Sequence, residues 1–424
     1  MDDTVQDIGK RSFRRSASRQ EAAAAFVHQK IPTSPREDGL QGAWNDGDRI
    51  FTREIYHDDY GASRAVLVVR LIAEHPARAS LDRLAHEYGL RSELERTWAA
   101  MPLNLITQNG HSALLLEDSG AAPLRQLIGL RRHGMAAELP IFLRLAIGIA
   151  AAVGKAHERG LIHRDIKPSN ILANTADGKV WLTGFGVASR ISRERQAPDP
   201  PEIIAGSLAY MAPEQTGRIN RSVDSRSDLY AVGITLYEML TGKLPFTASD
   251  PMEWVHCHIA KRPVSPSERI KKLPRGISAI VMKLISKNAE ERYQTAAGLE
   301  ADLRRALIEN ERSGRIEEFP LGTHDLQDRL LVPERPYGRE LEVAVLLAAC
   351  DRVVAGGGPT LVLVSGHAGV GKSTVVNELH RALVPPRGLF ASGKFDQNQR
   401  DVPYASLAQA LQSLVRALLA KSEA

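Results

Sequence analysis

The sequence has very few cysteines. Only Cys257 and Cys350 occur among 424 residues, so no disulfide framework is expected and the chain suits a reducing compartment. No apolar run follows the charged residues at the N-terminus, a pattern that excludes a secretory signal there. No stretch reaches the roughly 18 consecutive apolar residues that a membrane-spanning helix needs. These absences predict a cytoplasmic, soluble protein with no membrane segment.

Basic residues outnumber acidic residues only slightly. Lysine and arginine number 55 against 50 acidic residues, which gives a net charge of +5. Part of that excess lies in residues 1–36, where seven residues are basic and four are acidic. We expect residues 1–43 to form a disordered basic tail, and we expect no nucleic-acid partner. Contact of this tail with nucleic acid or anionic lipid is the alternative.

The length and composition predict an ordinary multidomain globular protein. At about 150 residues per domain the chain accommodates two or three domains. The hydrophobic content of 43% and the charged content of 25% are sufficient to build cores. Residues 309–336 are charged and contain three prolines, so we expect an interdomain linker there.

The pattern of apolar residues changes along the segment that precedes this linker. Residues 65–69 and 113–116 are apolar runs typical of buried strands, and residues 81–88 are typical of a helix. Beyond Pro140 apolar residues recur every four positions, which predicts a long helix that ends near Gly160. A further helix is expected to begin at Asp228. The pattern thus indicates a small strand-rich part followed by a larger helical part.

The loop after the long predicted helix contains a specific catalytic pattern. Residues 161–170 read L-I-H-R-D-I-K-P-S-N, which fits H-R-D-x-x-x-x-N, and here the chain resembles the eukaryotic-type protein kinases. The resemblance implies that Asp165 is the catalytic base and that Asn170 holds magnesium on the phosphates of ATP. It also implies that Lys167 places a positive charge near the transferring phosphoryl group. The Lys-Pro pair is similar to the serine/threonine branch of that family.

Further kinase-like motifs follow in the family's order. The resemblance covers residues 44–308 and implies an α+β bilobal fold. Residues 212–214 read A-P-E and resemble the end of the activation segment, which a small-molecule phosphotransferase lacks. A buried ion pair of Glu214 with a distant arginine is expected to fix this segment. The residues with expected structural roles are His163, Arg164, Glu214, Asp228 and Arg292.

Three features of the kinase pattern are missing. Where the family has D-F-G, residues 183–186 read T-G-F-G, so Gly184 replaces the magnesium-binding aspartate. No lysine occurs from Ile31 to Gly154, so the strand lysine of the family is absent as well. No G-x-G-x-x-G loop precedes that strand. Phosphoryl transfer depends on positioning and charge neutralisation, so these losses are expected to lower the rate by orders of magnitude.

An arginine is the candidate replacement for the strand lysine. Arg70 ends the apolar run at residues 65–69, and Glu87 lies at a suitable distance along the chain to be its helical partner. Arginine keeps the charge but differs from lysine in bulk and geometry. An Arg70–Glu87 ion pair is therefore one hypothesis, and a surface charge at the strand end is the other.

A second nucleotide-binding pattern follows the expected linker. Residues 360–364 form an apolar run that predicts a strand, and residues 366–373 read G-H-A-G-V-G-K-S before a predicted helix. This is the Walker A arrangement, in which backbone amides cradle phosphates, the lysine reaches the β/γ-phosphates and the serine hydroxyl binds magnesium. The residues expected to bind ATP are Gly366, Gly369, Gly371, Lys372, Ser373 and Thr374, with Ser373 also a magnesium ligand.

The P-loop segment is expected to be incomplete. The sequence G-R-E at residues 338–340 resembles the start of AAA-type ATPases of the signal-transduction class. No Walker B motif is visible, since neither Asp396 nor Asp401 ends an apolar run. Residues 337–424 are therefore predicted to be a truncated α/β P-loop NTPase domain.

The order of the two domains resembles a known class of bacterial regulators. These join a serine/threonine-kinase-like domain to an ATPase, often followed by sensor and histidine-kinase modules. The resemblance implies ATP and magnesium as cofactors. It implies protein substrates or partners, and downstream sensor or histidine-kinase modules.

Three functional hypotheses remain open at this point. The first is an active serine/threonine kinase that uses Asp165, Lys167 and Asn170. The second is a catalytically impaired pseudokinase that binds partners and regulates the attached ATPase. The third is a nucleotide-dependent switch driven by the P-loop domain.

Overall fold

The structure is a computed structural model. It describes residues 43–57, 63–108, 111–131, 134–190, 207–218, 221–325, 338–367, 372–377 and 411. Nearly all of the predicted basic tail (1–43) and the end of the predicted linker (309–336) lie outside these residues. The chain divides into two compact units, one formed by Met1–Arg96 with Ala100–Gly120 and the other by Thr97–Ala99 with Ala121–Ala424.

The first unit contains a five-stranded antiparallel sheet in the order β1-β2-β3-β5-β4. Side chains alternate along β3, so that Val66 and Val68 pack with Ala113 and Leu115 while Leu67 and Val69 are buried on the opposite face. The strands are β1 (Trp44–Asn45), β2 (Arg49–His57), β3 (Ser63–Leu71), β4 (Pro102–Gln108) and β5 (His111–Glu117).

One helix, α1 (Arg78–Gly89), accompanies this sheet. It contacts β4 and β5 and buries Leu84 and Glu87. The strands predicted over 65–69 and 113–116 and the helix predicted over 81–88 are therefore confirmed. Each of them extends one to three residues beyond its predicted ends, because apolar periodicity locates an element better than its boundaries.

The second unit is mainly helical. Its long helix α3 buries the predicted stripe, including Leu145, Ile149 and Val153. The helices are α2 (Leu124–Gly129), α3 (Leu139–Glu158), α4 (Ser225–Thr241), α5 (Pro251–Ile259), α6 (Pro266–Arg269), α7 (Arg275–Leu284), α8 (Ala296–Ser313), α9 (Glu340–Val354) and α10 (Lys372–Asn377).

Helix α3 is also the segment closest to a membrane span in composition. Among the described residues, Ala136–Glu158 is long and apolar enough to cross a membrane by length and composition alone. Half (50%) of its 18-residue apolar window is buried inside the structure. A core helix of a soluble protein passes the same test.

Helix α4 begins three residues earlier than predicted. Its N-cap is Asp224, whose side chain accepts a hydrogen bond from the Arg226 N–H, and the helix starts at Ser225 rather than at Asp228. Asp228 is in the first turn and faces the loop at residues 163–170. The prediction placed the helix start at the wrong acidic residue because both aspartates are suitable N-cap residues.

Short strands frame the catalytic loop. One small sheet joins β6 (Ala122–Pro123), β8 (Ile171–Ala173) and β9 (Val180–Leu182), and another pairs β7 (Leu161–Ile162) with β10 (Ser189–Arg190). The loop at residues 163–170 thus starts where β7 ends and finishes where β8 begins. Both of its ends are held by backbone pairing.

The chain folds back onto the helical unit after α8. The carboxylate of Asp325 accepts hydrogen bonds from the backbone N–H groups of Gln294 and Thr295 and from the Thr295 hydroxyl. Phe319 is buried and lies under the guanidinium of Arg305. Residues 314–325, which belong to the predicted linker, therefore pack against the helix that precedes them.

The described part of the P-loop segment contains α9 and α10, and α10 is the helix predicted after the Walker A sequence. The predicted strand at 360–364 does not form, and no strand occurs among residues 338–367, 372–377 and 411. Leu361 and Leu363 are 85% and 84% exposed. A parallel strand needs neighbouring strands on its edges, and the described part of this segment supplies none.

Candidate active site

The catalytic loop is anchored by one buried carboxylate. Asp228 is 1% exposed, and its oxygens accept hydrogen bonds from the backbone N–H groups of His163 and Arg164, both at 2.8 Å. The ring Nε2 of His157 lies 2.9 Å from the same carboxylate. Burial disfavours the charged form, but the interactions with His157 and His163 outweigh it and hold the pKa of Asp228 below its usual value.

This anchor maintains an uncommon backbone conformation. Arg164 has a φ of 67° and is the one non-glycine residue with positive φ in the described part of the chain. Such a conformation is costly for a residue with a side chain, by about 1–3 kcal/mol. The Asp228 carboxylate holds its N–H, and the Gln215 side-chain amide donates to its carbonyl oxygen at 2.9 Å. The turn at Arg164 sets the direction in which the next residue, Asp165, projects.

The carboxylate of Asp165 is held by three residues. Its Oδ1 accepts the backbone N–H of Ser207 at 2.8 Å. Its Oδ2 accepts the Asn170 amide at 2.9 Å and lies 3.2 Å from Nζ of Lys167. The Lys167 ammonium also donates to the Ser207 hydroxyl at 2.8 Å. The structure therefore brings together Asp165, Lys167 and Asn170, the three predicted catalytic residues, in one hydrogen-bonded group.

Ser207 is the member of this group that the sequence analysis did not identify. It lies five residues before the A-P-E sequence, within the activation segment, residues 184–214, of which 191–206 lie outside the described part. The sequence feature that could have identified Ser207 is its position five residues before A-P-E. A serine near the end of a loop is common, so the residue type alone does not distinguish it.

The glycine at position 184 lies directly against Asn170. Gly184 has a φ of 84°, and a Cβ atom at this position would lie 2.7 Å from Cγ and Nδ2 of Asn170. The next residue, Phe185, is fully buried and packs on the ring of His163 with ring centroids 4.5 Å apart. Nε2 of that ring donates to the Thr183 carbonyl at 3.1 Å. The T-G-F-G segment is thus packed against the catalytic loop without room for a side chain at residue 184.

The activation segment ends at a buried ion pair. Both amino groups of Arg292 donate to the Glu214 carboxylate, at 2.7 and 2.9 Å, and the Arg292 and Glu214 side chains are 0% and 3% exposed. The remaining donors of Arg292 reach the carbonyl oxygens of Arg226, Ser286 and Lys287. Burial raises the pKa of Glu214, but Arg292 and the Ser227 hydroxyl outweigh it, so the pKa lies below its usual value.

Arg70 and Glu87 do not form the predicted ion pair. The guanidinium of Arg70 donates to the Glu54 carboxylate at 2.6 Å and to the Thr52 hydroxyl at 2.9 Å. Glu87 lies instead 3.6 Å from Nη1 of Arg49. Arg70 points to the sheet face that carries Thr52 and Glu54 on the adjacent strand, while Glu87 is on a helix against the opposite face. The predicted pair rested on the spacing of Arg70 and Glu87 along the chain, and this spacing does not show which face of the sheet each side chain occupies.

The P-loop is described at its two ends. Nζ of Lys372 donates to the carbonyl oxygens of Gly366 and His367, both at 2.8 Å. Gly369 and Gly371 lie outside the described residues. Ser373 and Thr374 belong to α10, and their side chains are not among those described. The lysine therefore folds back over the start of its own loop.

Magnesium was expected at Asn170 and at Ser373. In the part of the chain that the structure describes, no group of three or more histidine, cysteine, aspartate or glutamate side chains converges on one point. Beside Asn170, Gly184 has no ligating atom. In the described catalytic loop and T-G-F-G segment, the residues therefore do not fit a magnesium site that needs both an asparagine and an aspartate.

The contact of Gly184 with Asn170 generates a testable prediction. Gly184→Ala is expected to lower the free energy of unfolding by about 2–4 kcal/mol, because it combines the strain of positive φ with a clash against Asn170. Gly160→Ala is the matched control, since Gly160 has a φ of 76° and no atom within 4 Å of the added Cβ. The control is expected to cost about 1 kcal/mol.

Urea unfolding followed by tryptophan fluorescence measures both variants. All four tryptophans lie between residues 44 and 254, so the signal reports this part of the chain and not the P-loop segment. Equal losses of stability in the two variants would show that position 184 can accommodate a side chain, contrary to the geometry.

Two family models match this chain, one for each of the two expected domains. The protein kinase domain model matches residues 63–303, and the AAA ATPase domain model matches residues 335–424. Kinase and AAA ATPase domains as classes use ATP with magnesium.

Similar proteins include signalling kinases from bacteria and from a eukaryote. Hybrid signal transduction histidine kinase G of Dictyostelium discoideum is 28% identical over 372 aligned positions, which cover 67% of this chain and 11% of that protein. Serine/threonine-protein kinase PknB of Mycobacterium tuberculosis is 39% identical over 170 positions, 39% of this chain and 27% of that protein. A probable serine/threonine-protein kinase of Corynebacterium efficiens is 33% identical over 195 positions, 45% of this chain and 29% of that protein.

The chain spans less than a third of the length of each of these relatives. The expected fold class, a strand-rich and a helical part of a kinase domain followed by an ATPase domain, is confirmed. With more than half of its length matched by the kinase model and the catalytic loop assembled as described, the chain belongs to the protein kinase family, and it continues into an AAA ATPase domain.

Proposed function

We propose that this chain is an ATP-dependent signalling protein whose kinase domain transfers the γ-phosphoryl group of ATP to a serine or threonine hydroxyl of a protein. The observation that carries the proposal is the arrangement around Asp165. Both of its carboxylate oxygens are occupied by donors from the catalytic loop and the activation segment. A carboxylate fixed in this way is oriented before a substrate arrives, which lowers the entropic cost of catalysis.

Each residue of the group has a specific task in this proposal. Asp165 orients the substrate hydroxyl and accepts its proton. Lys167, which bridges Asp165 and Ser207, places a positive charge where the phosphoryl group transfers. Bound ATP supplies the phosphoryl group. Asn170 holds both the carboxylate and the backbone of Asp165, since its amide donates to Oδ2 at 2.9 Å and to the Asp165 carbonyl at 2.8 Å.

The kinase site is assigned no magnesium-dependent step, because position 184 offers no side-chain ligand beside Asn170. Loss of one ligand for the metal ion that neutralises the phosphates lowers the rate of phosphoryl transfer, since that reaction depends on neutralising charge in the transition state. We therefore expect slow transfer compared with kinases that retain the aspartate. That Asn170 and Ser373 bind magnesium stays a prediction.

A second candidate function is favoured by the packing at Gly184. In this alternative the kinase domain is catalytically impaired and acts as a binding or scaffold regulator of the attached ATPase. The close approach of Gly184 to Asn170 supports it, because glycine supplies no side-chain ligand and a Cβ at residue 184 would lie 2.7 Å from the Asn170 side chain. The buried Glu214–Arg292 pair stabilises the segment in either case.

For the second domain we propose ATP binding at the P-loop, with Lys372 as the phosphate-binding cation and Gly366, Gly369, Gly371, Ser373 and Thr374 as the other binding residues. The contacts of Lys372 with two carbonyl oxygens of its loop support this, because bound phosphates replace them as partners of the ammonium. The proposed partners are protein substrates and, by similarity to the hybrid histidine kinase, downstream sensor or histidine-kinase modules.

Substitution of the proposed base tests the kinase function. Asp165→Asn is expected to lower kcat for a serine- or threonine-containing protein substrate by about 100-fold or more, because the amide cannot accept the proton. The control is Asp177→Asn, which changes a half-exposed carboxylate in the turn between β8 and β9. Phosphate incorporation, measured by mass spectrometry, is expected to be unchanged in the control.

The outcomes of this experiment separate the two candidates. Equal transfer by the wild-type chain and the Asp165→Asn variant would contradict the assignment of the base. Transfer that remains at background in the wild-type chain would instead support the impaired regulator.

The P-loop proposal has a separate test. Lys372→Ala is expected to weaken ATP binding about ten-fold, which corresponds to about 1.4 kcal/mol, because one charge-assisted hydrogen bond to phosphate is lost. Photolabelling with azido-ATP, mapped by peptide mass spectrometry to residues 338–424, distinguishes this site from the kinase domain. Arg352→Ala, which removes an exposed cation of α9, is the control. Equal labelling of wild type and Lys372→Ala would exclude the lysine from the phosphate site.

A further inference from the structure

A buried histidine connects helix α5 to the activation segment. His258 on α5 is 1% exposed, and its two ring nitrogens contact two different elements. Nε2 lies 2.8 Å from the carbonyl oxygen of Leu208, and Nδ1 lies 2.9 Å from the hydroxyl of Tyr230 on α4. Neither Leu208 nor His258 belongs to the catalytic loop.

The chemistry of these contacts defines one form of the ring. A carbonyl oxygen only accepts hydrogen bonds, so Nε2 of His258 carries the proton and donates to Leu208. Burial and the nearby Lys287 ammonium lower the pKa of His258 to about 4, so the imidazole is neutral at physiological pH. Nδ1 is then the acceptor, and the Tyr230 hydroxyl donates to it.

Aromatic packing fixes the orientation of this ring. The indole of Trp254 is stacked on it with a centroid distance of 5.9 Å, and Phe246 and Tyr230 approach with their planes nearly perpendicular, at 5.5 and 5.7 Å. Tyr230 itself packs under the guanidinium of Arg292 at 4.9 Å. The donor of His258 is therefore held in place by the same core that contains the buried ion pair.

The carbonyl that His258 holds is one residue from the catalytic group. Leu208 follows Ser207, whose N–H and hydroxyl contact Asp165 and Lys167. Residues Leu208–Tyr210 form a 3₁₀ turn in which the Met211 N–H lies 3.5 Å from the same Leu208 oxygen. The imidazole thus supplies the shorter of the hydrogen bonds to that carbonyl.

We propose that His258 is a positioning residue that holds the Leu208 carbonyl and so keeps Ser207 between Asp165 and Lys167. It acts through Leu208 and Ser207, since the structure gives it no contact with Asp165. Its role in phosphoryl transfer rests on the proposed kinase function. Its role in holding Ser207 does not, and can be measured without any activity.

Three substitutions separate the contributions of the ring. His258→Phe retains the aromatic packing and removes both hydrogen-bonding nitrogens. His258→Gln is the conservative variant, because its amide nitrogen reaches the position of Nε2 and can donate to Leu208. Tyr230→Phe removes only the hydrogen bond to Nδ1 and leaves the Leu208 contact in place.

Amide hydrogen exchange of the full chain, measured by mass spectrometry, provides the readout. In His258→Phe, exchange in peptides covering residues 207–211 is expected to accelerate by ten-fold or more, because the Ser207 N–H loses its fixed position on Asp165. Peptides covering residues 161–166 are expected to exchange as in the wild type, since Asp228 holds them independently. His258→Gln and Tyr230→Phe are expected to resemble the wild type in both regions.

Two results would overturn the proposal. One is unchanged exchange at residues 207–211 in His258→Phe. The other is equal acceleration in both regions, which would indicate a general loss of stability rather than positioning. Where the wild-type chain transfers phosphate, His258→Phe is also expected to lower kcat/KM several-fold and His258→Gln to restore most of it. Absence of transfer by the wild type would contradict the kinase function alone, because the exchange result still decides the role of His258.

Discussion

The catalytic geometry depends on the hydrogen bonds that the Asp228 carboxylate accepts inside the helical unit. Two of them come from consecutive backbone N–H groups, those of His163 and Arg164, and a third contact is made by His157. A buried carboxylate with this many donors remains charged and rigid. Because it holds both N–H groups at once, it stabilises the left-handed turn at Arg164 from which Asp165 projects. From that turn the carboxylate of Asp165 accepts the backbone N–H of Ser207.

The Glu214–Arg292 pair forms a second anchor, at the end of the activation segment. All its polar atoms that the structure describes have partners within a buried environment, so removal of either residue would leave an uncompensated charge costing about 3–5 kcal/mol. The exposed pair of Arg304 and Glu300 on α8 is worth far less, about 0–1 kcal/mol. The fold therefore uses its buried charges to fix the segment that contacts Asp165, while its surface pairs contribute little.

Sequence patterns predicted those parts of the molecule that depend on local spacing. The apolar period of α3, the strand at 65–69 and the spacing of Asp165 from Asn170 all lie within short segments, and the structure forms them as expected. Contacts between distant segments were harder to predict. Arg70 lies on the strand face next to Glu54, Ser207 reaches Asp165 from 42 residues away, and both depend on tertiary packing.

The strand predicted over 360–364 shows a different limit. Its apolar residues suit a strand, but a strand in a parallel sheet forms only with neighbours, which the described part of that domain does not provide. The start of α4 was misplaced for a local reason, since Asp224 and Asp228 are equally good caps by residue type. Only the structure shows that Asp224 caps the helix and that the Asp228 carboxylate accepts hydrogen bonds from the catalytic loop.

The catalytic loop depends on the Asp228 carboxylate, and amide hydrogen exchange in the Asp228→Asn variant measures this dependence most directly. The substitution preserves volume but places an amide group, which donates, where the carboxylate accepts from His163, Arg164 and His157. We expect exchange at residues 163–165 to accelerate by at least ten-fold while tryptophan fluorescence still reports a folded kinase domain. Unchanged exchange at those residues would contradict the conclusion that the Asp228 carboxylate holds the catalytic loop.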